Sequence, residues 1–109
     1  MAYDISLLDP SSRERLSVEQ FAEGGTQVLG GSTVACLNIT SNYRTLFDFY
    51  ELHDKVAHET IPSLIEAVVQ LGTERNRNHW APTPGNVGFA CDRLLSWACR
   101  YPDAIWRVY

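Results

Sequence analysis

The sequence predicts an α+β fold: an antiparallel β-sheet with three α-helices packed on one face, in a single domain spanning residues 1–109. Three observations lead there. The stretch 24–43, GGTQVLGGSTVACLNITSNY, reads as a tight hairpin whose second strand runs into a helix. Further on, apolar residues recur at helical spacing in runs closed by Gly72 and by Pro102. Both ends of the chain instead alternate with the period of two that marks strands.

The first strand is predicted over 3–8, with Tyr3, Ile5 and Leu7 on one side and Asp4, Ser6 and Leu8 on the other, before Asp9-Pro10-Ser11-Ser12 turns the chain. Residues 13–18 return as a short strand, or Ser17 and Gln20 cap a single helical turn ended by Gly24; the residues leave both readings open. In the central hairpin, Gly30-Gly31 supplies the positive φ angles that a two-residue turn requires. That turn sets Thr26 opposite Ala35 and Val28 opposite Thr33. Val28, Ala35, Leu37 and Ile39 then share an apolar face, and Cys36, Asn38, Thr40 and Asn42 form a polar ladder on the other. Asn38 and Asn42 either end the strand and cap the next helix or floor a polar pocket.

Three helices are predicted to follow. The first, over 43–57, is capped by Ser41 or Asn42 and buries Leu46, Phe49, Tyr50, His53, Val56 and Ala57. The second starts from a Thr60 cap with Pro62 in its first turn, turns Ile61, Leu64, Ile65, Val68 and Leu71 inward, and stops at Gly72. Residues 73–85, TERNRNHWAPTPG, make a long polar loop, a kind that carries function more often than short connections do. Thr83 then caps a third helix opened by Pro84, whose inner stripe is Val87, Ala90, Cys91, Leu94, Trp97, Ala98 and Tyr101. Past Pro102, Ala104, Trp106 and Val108 alternate as a last strand.

Composition excludes several classes of function. A formal net charge of −4, one lysine (Lys55) and dispersed arginines argue against nucleic-acid binding, which depends on clustered cations. No apolar run approaches the ~20 residues that span a bilayer, and the start MAYDISLLDPSSRER is not a signal peptide, so a cytoplasmic setting is expected, in a bacterium or phage-infected host. Three cysteines, Cys36, Cys91 and Cys99, have no metal-ligand spacing and read as small buried hydrophobes.

The sequence carries no recognisable catalytic or metal-binding motif. His53 and His58 are five residues apart and diverge by about 140° on a helix, so no metal site is expected, and no cofactor. No serine or cysteine sits in a nucleophile motif, and no catalytic residue is assigned; an enzyme is the less favoured class. Gly85-Asn86-Val87-Gly88 is either a weak anion-binding helix start or a place of close packing.

The segments GGTQVLGGSTVACLNITSNY, IPSLIEAVVQLG and HWAPTPGNVGFACDRLLSWACRYPDAIW together resemble small uncharacterised proteins of bacteriophages and prophages. The likeness rests on the paired-Gly hairpin, the step at 37–43, the helix start at 83–86 and the late Pro102 to Trp106 pattern, and it implies a phage setting without any chemistry. It also draws the eye to polar residues at element ends. Asn38, Thr40, Asn42, Tyr43, Thr83 and Asn86, with His79 and Trp80 from the loop, are the candidate ligand-binding residues. The expected function is a non-enzymatic binding module for a host protein or a small polar ligand. Two alternatives stand beside it: an anti-defence protein that occludes a host defence protein or sequesters a nucleotide signal, and a small hydrolase or transferase using His79. A homodimer through Tyr109 or Tyr50 is a further reading.

Overall fold

The computed structural model describes residues 2–16, 26–28 and 36–109. Strand β1 (Ala2–Leu8) lies at the centre of a four-stranded sheet ordered β2-β3-β1-β4, with β2 at Thr26–Val28, β3 at Cys36–Thr40 and β4 at Ile105–Val108. Every pairing is antiparallel. The register sets Tyr3 opposite Ile39, Ile5 opposite Leu37 and Val108, and Leu7 opposite Trp106. All seven of these side chains are buried in one apolar cluster, as the alternation in β1 and β4 predicts. Asp9 closes the first turn by accepting from the Ser11 and Ser12 amides, and Arg15 then bridges back to Leu8.

Among the described residues two α-helices complete the fold, α1 (Ala57–Leu71) and α2 (Pro84–Arg100). The first of the three predicted helices, over 43–57, does not form. In its place stand two 3-10 turns, Ser41–Thr45 and Phe49–Leu52, each opened by its own cap: Thr40 accepts from Asn42 N and Asp48 from Tyr50 N. The reason lies in which side chains reach the core. Tyr43, Phe49 and Leu52 are buried, whereas Leu46 and Tyr50 are exposed, and no single helical face holds the first set without the second. Asp48 favours this break, because its short side chain competes for backbone amides.

The pairing of β2 with β3 also differs from expectation. Thr26 pairs with Ile39 rather than Ala35, and Val28 with Leu37 rather than Thr33. This is not the pairing a two-residue Gly30-Gly31 loop would set, and those glycines lie outside the described residues. The slip is four residues, an even number, so the face predicted for Leu37 and Ile39 is unchanged.

Helix α1 begins three residues before Thr60, at Ala57, with no side-chain cap. Tertiary partners satisfy its first amides instead: Ala57 N donates to Ala104 O (2.7 Å) and His58 N to Pro102 O (2.9 Å). Thr60 is thereby released for another task. Its hydroxyl donates to Ala57 O (2.7 Å) and accepts from Trp106 Nε1 (2.9 Å), satisfying a buried indole. Leu64 and Ala67 face the core, but Ile65, predicted inward, is 46% exposed. Helix α2 follows its predicted course, with Thr83 accepting from Asn86 N, Pro84 in the first turn and Val87, Ala90, Cys91, Leu94, Trp97 and Ala98 buried.

Candidate functional site

The loop 72–83 joins α1 to α2, and its course is dictated by Asn86 in the first turn of α2. Asn86 is fully buried. Its Oδ1 accepts from Asn76 N (2.8 Å), while its Nδ2 donates to Asn78 O (3.0 Å) and Ala81 O (2.9 Å). One primary amide thus ties three points of the loop to the helix start, using both of its N–H donors. Within the loop, Asn76 Oδ1 accepts from Asn78 N (2.8 Å) and Asn78 Oδ1 from Trp80 N (3.1 Å). These are successive Asx turns, which the spacing of asparagines in E-R-N-R-N-H-W could have disclosed.

The two glycines of α2 make room for this arrangement. A Cβ on Gly85 would lie 1.7 Å from Glu74 O, and one on Gly88 would lie 1.7 Å from Gly72 O. Close packing is therefore what these glycines serve.

From the other side, the first 3-10 turn reaches over to the same loop. Asn42 Nδ2 donates to Trp80 O (2.9 Å) and the Tyr43 hydroxyl to His79 O (2.6 Å). Burial, slightly offset by the Arg75 charge, pushes the Tyr43 phenol up to about 12, so the group stays protonated as a donor. Arg75, which has no place among the candidates read from sequence, stacks its guanidinium 4.7 Å from the Phe89 centroid and donates to His79 Nε2 (2.9 Å). A guanidinium can only donate, so His79 accepts at Nε2 and carries its proton on Nδ1. The nitrogen that a hydrolase would use as a base is already engaged.

Six of the eight candidate residues therefore meet at this loop: Asn42, Tyr43, His79, Trp80, Thr83 and Asn86. Thr40 stands at the edge of the group, where it is buried and caps the turn that carries Asn42 and Tyr43. Asn38 does not join them. It faces away from Leu37 and Ile39 and donates to its cross-strand neighbour Asp4 at 2.7 Å, a charge-assisted bond within the sheet.

Most of the polar capacity at this corner is spent on the protein's own backbone. What remains open is the Trp80 side chain, 61% exposed although its backbone N–H and C=O are both held. Beside the loop lies an open cleft of about 310 Å³, lined by Leu71, Glu74, Arg75, Asn76, Thr83 and Gly85. It offers one guanidinium with a carboxylate alongside. Elsewhere, burial and then the Asp92 charge push the Cys91 thiol up to about 12, which makes it a packing residue rather than a nucleophile. Among the described residues no group of three or more His, Cys, Asp or Glu side chains is arranged to hold a metal ion, and no helix is long and apolar enough to cross a membrane.

No protein-family model matches the chain, and the comparisons with curated proteins and with solved structures return no match.

Proposed function

We propose that the chain is a non-enzymatic binding module of phage or prophage type, acting in the cytoplasm, whose contact surface for a host protein is the loop 72–83 with Trp80 presented on it. The observation that carries this reading is a large indole left 61% exposed on a backbone pinned from two sides. Tryptophan is the residue most enriched among those that dominate protein interfaces, and a contact already ordered before binding avoids the entropy of being ordered by it. The polar side chains around it support a macromolecular partner over a small polar ligand, because Asn42, Tyr43 and Asn86 hold the loop with the same groups a ligand would need. Sequestration of a nucleotide signal is the weaker anti-defence reading. Among the described residues lining the adjoining cleft, Arg75 alone could meet several phosphate charges, and it is opposed by Glu74.

Paired affinity captures from a bacterial lysate, with the wild-type protein and the Trp80→Ala variant as baits, test the proposal. The expected result is a stoichiometric protein retained by the wild type and lost by the variant, with matching thermal melts. Equal retention by both baits would refute the role of Trp80. A small molecule carried on the native protein, seen by mass spectrometry, would move the reading to a ligand-binding module.

A further inference from the structure

A second groove, which adjoins the cleft beside the loop at Leu71 but is not lined by Trp80, has a composition that selects a partner. Between residues 46–51 and α1 runs an open groove of about 240 Å³. Leu46, Phe47, Ala67 and Leu71 give it apolar surface, Ser63 and Gln70 line it beside them with polar groups, and Glu51 and Glu66 add two carboxylates. Among the described residues no lysine or arginine lines it, and α1 itself, AHETIPSLIEAVVQL, contains two glutamates and no lysine or arginine. The walls are fixed. Leu46 N and Phe47 N both donate to Tyr43 O (3.0 and 3.1 Å), and the Phe47 ring rests on buried Phe49 with centroids 4.9 Å apart. Glu66 accepts from Gln70 Nε2 at 3.2 Å, which steadies one rim.

Leu46 is nevertheless 41% exposed, an apolar wall left in water. Covering it recovers hydrophobic free energy, but only for an occupant that also meets two carboxylates of the same sign. A second copy of this chain does not qualify, since a two-fold contact sets the same patch on both partners and would bring glutamate towards glutamate. We infer that this groove docks a basic amphipathic segment of a partner protein, with its apolar side chains against Leu46 and Phe47 and flanking lysines or arginines reaching Glu51 and Glu66. The long aliphatic stems of those basic residues suit the geometry, because they cover apolar wall while their charged heads stay at the rim.

The probe is a short amidated helical peptide with a leucine stripe flanked by lysines, titrated against the protein by calorimetry and compared with the same peptide carrying glutamate for lysine. The lysine peptide should bind, less tightly as salt rises, and the glutamate peptide should not. Two variants locate the contact. Glu51→Gln combined with Glu66→Gln should weaken binding roughly three- to tenfold, and Leu46→Ser should weaken it comparably, with melting curves showing that both are folded. Trp80→Ala should leave it unchanged, which separates this test from that of the loop. Equal binding of both peptides, or indifference to the glutamate substitutions, overturns the inference. So does concentration-dependent self-association that Leu46→Ser abolishes, because the occupant would then be a second copy.

Discussion

Replacing Asn86 discriminates between two roles that one position can hold. As the third residue of α2 it sits where the helix dipole favours an acidic side chain by about 0.3–1 kcal/mol, so on local grounds Asn86→Asp is stabilising. As the clamp of loop 72–83 it must donate twice, to Asn78 O and Ala81 O, and a carboxylate donates nothing. Asn86→Ala removes three hydrogen bonds from a fully buried position. At about 1 kcal/mol each, less some recovery as the loop carbonyls turn to water, the loss is about 2–3 kcal/mol. For a domain of this size that lowers Tm by roughly 8–15 °C.

Asn86→Asp should be the worse of the two at pH 7. It sets a charged oxygen against two carbonyl oxygens where the amide now donates, which outweighs the dipole gain. The sign of its pH response follows. An acid whose neutral form is favoured in the folded state is least stable when ionised, so this variant regains stability as pH falls through the carboxylate range, where the protonated acid restores one donor. Urea titrations of both variants, followed by tryptophan fluorescence across pH, read these effects directly. An Asp variant as stable as the wild type at pH 7 would show that the clamp contributes little and that the loop is held by other means.

Three further outcomes are expected. Thr60→Val keeps the shape of the side chain but strands the buried Trp106 indole N–H; it should cost about 1–3 kcal/mol in urea melts and alter the near-ultraviolet dichroism of the folded protein. Gly88→Ala gains about 1 kcal/mol of helix propensity, yet its Cβ would meet Gly72 O at 1.7 Å, so calorimetry should show a net loss, with Gly85→Ala behaving alike against Glu74 O. Peptide-resolved alkylation at pH 8 should modify exposed Cys99 at once and spare Cys91 until unfolding. Because burial raises the Cys91 value, its contribution to stability is complete below pH ~9 and is lost as pH rises towards about 12, so Cys91→Ala should flatten that alkaline decline.

The elements legible in the sequence are those in which local signals and burial agree. In α2 the cap at Thr83, Pro84 in the first turn, the apolar stripe and the stop before Pro102 all indicate the same boundaries, and the structure follows them. In β1 and β4 the alternation suffices, because a strand with one buried face has a fixed phase. The segment 43–57 misleads because apolar residues there fit a helical stripe by number while the fold buries a different subset. The start of α1 was hidden for another reason. Its caps are the carbonyls of Pro102 and Ala104, far away in sequence, so Thr60 gave a local signal for a role it does not play. Of the candidate residues, the cluster at the loop follows from attention to polar side chains at element ends. Asn38 misleads because alternation assigns it a face without revealing that Asp4 would occupy its amide.

That polar residues converge at a corner is usually taken as the mark of a ligand site, but the number of hydrogen bonds already made decides whether any capacity remains. Asn86 has two N–H donors, both used, and the Asn42 and Tyr43 donors also end on loop carbonyls. In the proposed binding module, using them to hold the loop lowers the entropy lost on contact with a partner. Each residue ordered costs about 1–2 kcal/mol of backbone entropy, and a loop already ordered by folding does not charge that cost to binding. The clamp and the exposed indole are then parts of one device, and their coupling can be measured. Once a partner is in hand, Asn86→Ala should weaken binding while leaving every Trp80 atom in place, and it should do so less in the Trp80→Ala background. Strictly additive losses would mean that the loop's order and its tryptophan act independently.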